Sequence, residues 1–110
     1  MSNESYKKEN VFDKIYKRVM EIPRGKVSTY GEVAAAVGNP RLARIVGYAL
    51  HSNPAPGIIP CHRVVNRVGR LAPGFAFGGE GKQRSLLEAE GIEFLKNGNV
   101  DLKKCMYAFE

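Results

Sequence analysis

The sequence predicts a small, mostly α-helical domain with minor α/β elements, arranged as a winged helix-turn-helix-like fold with a short C-terminal hairpin. Three observations predict this class. Two helix start signals flank a tight turn at Gly38, a proline-dense segment follows at residues 53–60, and Asn97-Gly98 separates two apolar runs near the C-terminus. The 110 residues give space for one core and not for a second.

Composition fits a single folded domain. Hydrophobic residues make up 44% of the chain, which is too many for a disordered polypeptide. Residues 1–10 are polar and charged, so we expect a flexible N-terminus followed by one domain over residues 11–110. The N-terminus lacks the apolar segment of a signal peptide, and no stretch approaches the roughly 20 apolar residues of a membrane span. We therefore expect a cytoplasmic protein.

The first element is a helix with one apolar face. Over residues 11–22 apolar side chains recur at helical spacing, and Pro23 and Gly25 then end the helix. The apolar positions are Phe12, Ile15, Tyr16, Val19 and Met20. This face is expected to pack on the core.

Two further helices follow across a tight turn. Residues 29–32 (Thr-Tyr-Gly-Glu) read as a capping box that starts a helix over residues 30–37, and Gly38 stops it. Asn39-Pro40 combines a good N-cap with a proline at the first helical position, so a second helix is predicted over residues 40–50. Two short helices joined in this way are typical of a helix-turn-helix.

The second helix of this pair has two distinct faces. Its apolar stripe consists of Leu42, Ile45, Val46, Ala49 and Leu50, and its polar face of Arg41, Arg44, Tyr48 and His51. Ala43 and Gly47 are small residues near the exposed face, where they would let the backbone approach another surface closely. The alternative interpretation is a surface helix with ordinary solvated arginines.

The middle of the chain is irregular. Prolines are too dense over residues 53–60 for a helix, so this segment carries the chain to Cys61 in a non-helical form. Val64 and Val65 predict a short buried strand, and residues 66–79 predict a long glycine-rich loop.

The last part of the chain predicts a helix and a hairpin. The helix covers residues 81–90 and is capped by Gly91, with two leucines turned inward at positions 86 and 87. Residues 92–94 and 100–102 flank Asn97-Gly98 and predict the terminal hairpin. We expect Cys105, beyond the hairpin, to lie idle near a frayed C-terminus.

Charge and cysteine content narrow the function classes. The net charge is +6, with 17 Lys and Arg against 11 Asp and Glu, which suits a polyanion such as nucleic acid, although a lysine-rich surface would give the same value. Two cysteines are too few for a disulfide framework, and the cysteines and histidines lack zinc-binding spacing. We expect no metal, and both thiols free.

Cys61 and His62 are adjacent between a rigid proline and an arginine. An imidazole can accept the thiol proton directly or through water, and a carboxylate beyond the imidazole would fix its tautomer. Sequence spacing leaves Glu32, Glu88 and Glu90 open as that carboxylate. The alternative interpretation is a buried cysteine beside a structural histidine.

Residues 59–64 (Ile-Pro-Cys-His-Arg-Val) resemble the active-site motif of the O6-alkylguanine-DNA alkyltransferases, also called methylated-DNA–protein-cysteine methyltransferases. Residues 22–32 are similar to the segment that leads into the family's helix-turn-helix, and residues 38–47 to its recognition helix. Asn53-Pro54 and residues 86–91 also resemble family segments and occur in the same order along the chain, so the resemblance extends over about residues 12–92.

The resemblance implies roles at the reacting centre. Cys61 would accept the alkyl group, His62 would deprotonate it through a water, and Glu90 would orient His62. Asn53 would brace the turn between the recognition helix and the active-site segment, and Val64 would contact the base through its backbone.

The resemblance also implies how duplex DNA is held, in the minor groove. Tyr30 would contact the flipped base and offset charge on the leaving guanine. Arg44 would enter the base stack in place of the extruded nucleotide, and Arg41 would contact the DNA backbone. Ala43 and Gly47 would let the helix lie in the minor groove.

The chemistry so implied needs no cofactor. The damaged base is flipped out of the stack, and a thiolate then displaces guanine from the alkyl carbon. The product is a thioether that water does not reverse, so each molecule would act once.

Other functions stay open beside this one. The family's pocket loop typically reads Tyr-Ser-Gly-Gly or Tyr-Ala-Gly-Gly, whereas residues 73–79 read Pro-Gly-Phe-Ala-Phe-Gly-Gly. The short single-domain form and residues 66–70 are also similar to alkyltransferase-like proteins, which usually have Trp in place of Cys61. Those proteins bind alkylated guanine without repairing it and mark it for excision-repair proteins. A helix-turn-helix regulator would instead read base sequence, for which the arginines are less suited than for backbone contact and intercalation.

Overall fold

A computed structural model describes residues 10–110 of the chain. The flexible N-terminus predicted over residues 1–10 lies outside this part, except for Asn10, whose side chain accepts a hydrogen bond from the Asp13 amide (2.9 Å) and caps the first helix. Helix α1 spans Val11–Met20. The sequence predicts a helix as far as Ile22, but α1 ends two residues earlier. The amides at positions 21 and 22 donate to carbonyls three residues before them, which closes the helix.

The predicted helix-turn-helix is present. Helix α2 spans Tyr30–Ala36, and the Glu32 amide donates to Thr29 Oγ1 (3.1 Å) as the capping box predicts. The second helix begins as a 3₁₀ turn over Pro40–Leu42, capped by the Asn39 side chain, and continues as helix α3 over Ala43–His51. Its C-terminal end is therefore one residue beyond the prediction.

The extended structure is smaller than a winged fold suggests. Strand β1 (Ser28–Thr29) pairs in parallel with strand β2 (Val64–Val65), with Ser28 opposite Val64. The sequence predicts β2 but not its partner. A 3₁₀ turn over Cys61–Arg63 leads directly into β2, so this pairing places the Cys-His turn beside the start of α2.

The C-terminal part has two further helices. Helix α4 spans Gly79–Ala89, starting earlier than predicted, and helix α5 spans Leu102–Cys105. The predicted hairpin is reduced to one antiparallel bridge between Phe94 and Val100. The prediction that its second arm includes Leu102 is wrong, because the chain turns helical at that residue.

The expectation of a frayed C-terminus is wrong. The Val27 amide donates to the Cys105 carbonyl (2.9 Å), and the Tyr107 amide donates to the Val27 carbonyl (2.8 Å). Cys105 is buried, its thiol lies 3.4 Å from the Asp101 carbonyl, and burial raises the pKa of that thiol. The last residues therefore extend the β1 side of the sheet.

Two apolar clusters lie on opposite sides of the short sheet. The larger joins α1, α2 and α3 to Val64 and Cys61, and the smaller joins Val65 to Leu87 and the C-terminal segment. The two residues of β2 thus serve different clusters because side chains alternate along a strand. The predicted class, mostly helical with a helix-turn-helix and small strands, is confirmed. Over residues 10–110, no helix is long and apolar enough to cross a membrane.

Candidate functional site

A buried asparagine fixes the segment that leads to Cys61. The Asn53 side chain donates to the Ile59 carbonyl (2.8 Å) and accepts from the Ala55 amide (2.8 Å), so it closes the loop over residues 53–59. The proline-rich chain has few amides to stabilise itself, and this side chain supplies the missing bonds. It thereby joins the end of α3 to the Cys61 turn, which is the position that the resemblance gives to Asn53.

Cys61 lies at the floor of a cavity and is only 6% exposed. Burial raises the pKa of its thiol, while the Asn53 amide and the local backbone amides partly oppose that rise. The thiol is therefore held mainly protonated at neutral pH. Over the described part of the chain no hydrogen bond joins Cys61 Sγ to the His62 ring.

The His62 ring instead binds Glu90. His62 Nε2 lies 2.9 Å from Glu90 Oε2, and both side chains are largely buried. Arg63 forms a bidentate pair with the same carboxylate through Nε (2.9 Å) and an Nη nitrogen (2.8 Å), and its other Nη donates to the Ile22 carbonyl (2.7 Å). Glu90 thus contacts both His62 and Arg63.

The environment keeps Glu90 ionised. Burial alone would raise the pKa of this carboxyl, but the hydrogen bonds and charges of Arg63 and His62 outweigh burial and lower it. Of the three carboxylates that sequence spacing leaves open, Glu90 is the one that contacts His62. Glu88 pairs with Arg84 on the surface of α4, and Glu32 is exposed on α2.

The cavity above Cys61 is lined by polar and apolar groups in about equal measure. Tyr30, Val64, Phe75 and Phe77 are among the residues that line it. Burial, and secondarily the proximity of Cys61, raises the pKa of the Tyr30 phenol, so Tyr30 stays a hydrogen-bond donor. The cavity combines a nucleophile, a phenolic donor and apolar contact surface.

Gln83 is the site residue that the sequence reasoning missed. It is 1% exposed on α4 and lines the same cavity. Its Oε1 accepts from the Ala72 amide (2.8 Å), and its Nε2 donates to the carbonyls of His62 and Val64 (both 3.2 Å). One signal could have found it: a polar residue four positions before Leu87, on the inward face of a helix.

The exposed face of α3 adjoins this cavity. Arg41, Arg44, Tyr48 and His51 are exposed as predicted, and Val46, Ala49 and Leu50 on the opposite face are buried. A shallow groove runs along the exposed face, and its lining includes Ala43, Arg44 and Gly47. Tyr30, Gly47 and His51 line both groove and cavity, so the two form one continuous surface.

Within residues 10–110, no three His, Cys, Asp or Glu side chains lie close enough together to hold a metal ion.

Known proteins with similar sequences share this arrangement of elements. The family model for the 6-O-methylguanine DNA methyltransferase, DNA binding domain, matches residues 10–92. Alkyltransferase-like protein 1 of Schizosaccharomyces pombe is 44% identical over 96 residues, covering 86% of this chain and 88% of that protein. The DNA base-flipping protein of Escherichia coli is 39% identical over 105 residues, covering 92% of this chain and 78% of that protein.

A methylated-DNA–protein-cysteine methyltransferase of Haemophilus influenzae is 43% identical over 89 residues. The match covers 81% of this chain but 49% of that enzyme, so the chain spans about half of its length. Among solved structures, the Schizosaccharomyces pombe alkyltransferase-like protein in complex with damaged DNA containing O6-carboxymethylguanine superimposes with a TM-score of 0.75, at 37% identity over 99% of this chain and 100% of that chain. Mycobacterium tuberculosis OGT in complex with DNA gives a TM-score of 0.71, at 39% identity over 76% and 50% of the two chains.

A helix-turn-helix whose exposed face continues into a cysteine cavity defines a DNA alkyltransferase-type domain. The chain belongs to the family of 6-O-methylguanine DNA methyltransferases and alkyltransferase-like proteins.

Proposed function

We propose that this chain flips O6-alkylguanine out of duplex DNA and transfers the alkyl group irreversibly to its own Cys61. One observation carries the proposal: a cysteine at the floor of a cavity is followed directly by a histidine that is bound to a buried, ionised carboxylate. That arrangement suits a nucleophile whose proton is removed by a base with a fixed tautomer.

The reaction forms one bond and breaks one. His62, held by Glu90, takes the Cys61 proton through a water, and the Sγ thiolate attacks the alkyl carbon. The bond from that carbon to guanine O6 breaks, and its electron pair stays on the guanine. Tyr30 donates a hydrogen bond to the leaving base, which disperses the developing charge. The thioether is stable, so the protein is consumed.

Because Cys61 is buried, the flipped guanine has a role in activating the thiol. Burial raises the pKa of the thiol, and a flipped base that closes the cavity positions the alkyl carbon at Sγ while the proton leaves. The exposed face of α3 supplies the DNA contacts: Arg44 fills the gap in the stack, Arg41 contacts the backbone, and Ala43 and Gly47 let the helix enter the minor groove.

A lesion sensor is the second candidate function. The raised pKa of Cys61 and the aromatic pocket loop favour it, as does the 44% identity with an alkyltransferase-like protein over 86% of this chain. Such a sensor would hold the flipped base and present the DNA to excision-repair proteins.

A turnover count separates the two functions. The protein is incubated with an excess of duplex DNA containing one O6-methylguanine, and restored guanine is counted per protein molecule. We expect one equivalent and no more, none for Cys61→Ser, and one for the matched control Cys105→Ser. Tight lesion-specific binding with no restored guanine would identify a sensor instead.

A further inference from the structure

The pocket loop places an aromatic pair against the cavity. The Phe75 amide donates to the Ala72 carbonyl (3.2 Å), and the Gly79 amide donates to the Phe75 carbonyl (2.9 Å), so the loop is closed by two turns at the start of α4. Gln83 anchors its first residue through the Ala72 amide. The rings of Phe75 and Phe77 meet edge to face, with centroids 5.9 Å apart.

Both rings pack against the apolar cluster that contains Leu50, Cys61 and Val64. They line the same cavity as Cys61, so they form part of the wall around the nucleophile's cavity. When the alkyl carbon reaches Sγ, the rest of the substituent must lie between the sulfur and the walls of the cavity. The loop therefore contacts the part of the lesion that differs from one alkylating agent to another.

Among the described residues, the walls of this cavity include no Lys or Arg, and Arg44 lines only the groove that continues from it. The titratable groups of the cavity are Tyr30, His51 and Cys61. Burial raises the pKa values of Tyr30 and Cys61, so the cavity favours the neutral forms of both groups. A buried carboxylate without a partner carries a large desolvation cost, whereas an alkyl group gains from burial against aromatic rings.

We infer that the Phe75–Phe77 pair makes this site selective for neutral, apolar O6 substituents of guanine over anionic ones. The inference rests on the proposed recognition of O6-alkylguanine and adds its substrate class. The loop sets the selectivity at the binding step, before alkyl transfer.

A matched pair of lesions tests it. O6-isobutylguanine and O6-carboxymethylguanine have substituents of the same branching, and only the second is charged. Duplexes with each lesion or with plain guanine are titrated into Cys61→Ser protein at pH 8. We expect the isobutyl duplex to bind about tenfold or more tighter than the carboxymethyl duplex.

Loop variants locate the cause. Phe77→Leu keeps the wall apolar and is expected to retain the preference, whereas Phe77→Gln is expected to reduce it to about threefold or less by offering amide hydrogens to the carboxylate. Phe75→Leu and Phe75→Gln repeat the comparison at the second ring.

The outcomes distinguish a failure of the proposed selectivity from a failure of the proposed lesion recognition. If both lesion duplexes bind better than plain guanine but equally well, the selectivity is absent and lesion recognition stands. If neither lesion is preferred over plain guanine, the proposed function fails and the inference fails with it. A preference that persists unchanged in both glutamine variants would overturn the role of the phenylalanine pair.

Discussion

Glu90 has two partners, and each contact serves a different property. Its bond to His62 fixes the imidazole, and its bidentate pair with Arg63 ties the end of α4 to the Cys61 turn. Glu90→Gln keeps the shape and removes the charge. We expect the pH profile of Cys61 alkylation by iodoacetamide to move to higher pH, because the imidazolium loses its counter-charge.

Methyl transfer at neutral pH should slow about tenfold or more in Glu90→Gln, while DNA affinity stays near that of the wild type. Arg63→Gln is the matched control, since it removes the ion pair and leaves the His62 contact. It should lower the melting temperature without moving the alkylation profile. Coincident profiles for wild type and Glu90→Gln would exclude a relay through Glu90.

Arg44 and Arg41 provide a matched pair on one helix face, because both are exposed and equally charged. If Arg44 replaces the flipped base in the stack, Arg44→Ala should slow repair of duplex DNA about tenfold more than Arg41→Ala does. Repair of the same lesion in single-stranded DNA should differ little between the variants, because no stack has to be refilled. Equal losses in duplex DNA, with none specific to flipping, would make Arg44 a phosphate contact only.

At the scale of elements, α3 combines a packing face with the exposed face that we propose to approach DNA. Gly47 lies in the middle of this helix, and a Cβ added there would meet no heavy atom within 4 Å. Gly47→Ala should therefore raise the free energy of unfolding by about 0.5–1 kcal/mol through helix propensity.

The same methyl group should weaken binding to duplex DNA about tenfold, because it projects into the groove where the backbone would approach the DNA. Gly81→Ala on α4 is the control, since a Cβ there also meets nothing and the position lies outside the groove. It should be stabilising and leave DNA affinity unchanged. Unchanged affinity in Gly47→Ala would contradict close approach of α3.

The elements also show how far sequence reasoning extends. The capping residues Thr29 and Asn39 and the period of the apolar residues are local signals, so α1, α2 and α3 are placed within a few residues. The β1–β2 pair consists of two residues on each strand, too short for an alternating pattern, and it joins distant parts of the chain. The C-terminal pairing with Val27 escapes prediction for the same reason.

The site residues also divide into those that local sequence patterns indicate and those that depend on contacts between distant parts of the chain. The Cys61-His62 pair and the exposed residues of α3 can be found from neighbouring residue types and from helical spacing. The choice of Glu90 over Glu32 and Glu88 depends on where α4 ends relative to β2. The contacts of Gln83 join three segments that only tertiary packing brings together.

At the scale of the whole molecule, the Glu90 network links the end of α1 to the Cys61 turn and to α4, through Arg63 and the Ile22 carbonyl. The pKa of Glu90 is lowered in the folded protein, so its ionised form stabilises the fold. This contribution is complete above the pKa of the unfolded chain, about 4.3, and is lost as pH falls through the lower folded value.

Denaturant unfolding at several pH values measures this effect. The stability difference between wild type and Glu90→Gln should shrink as the pH falls below about 4, where the folded Glu90 carboxylate becomes protonated. A difference that stays the same down to pH 3 would show that the Glu90 charge does not stabilise the fold.

We propose that the whole molecule is consumed when Cys61 receives the alkyl group. Intact mass spectrometry after incubation with O6-methylguanine duplex DNA tests it most directly. We expect the gain that corresponds to replacing one thiol hydrogen with one methyl group, located on the peptide that contains Cys61. An unchanged mass in protein that binds the lesion duplex tightly would contradict it.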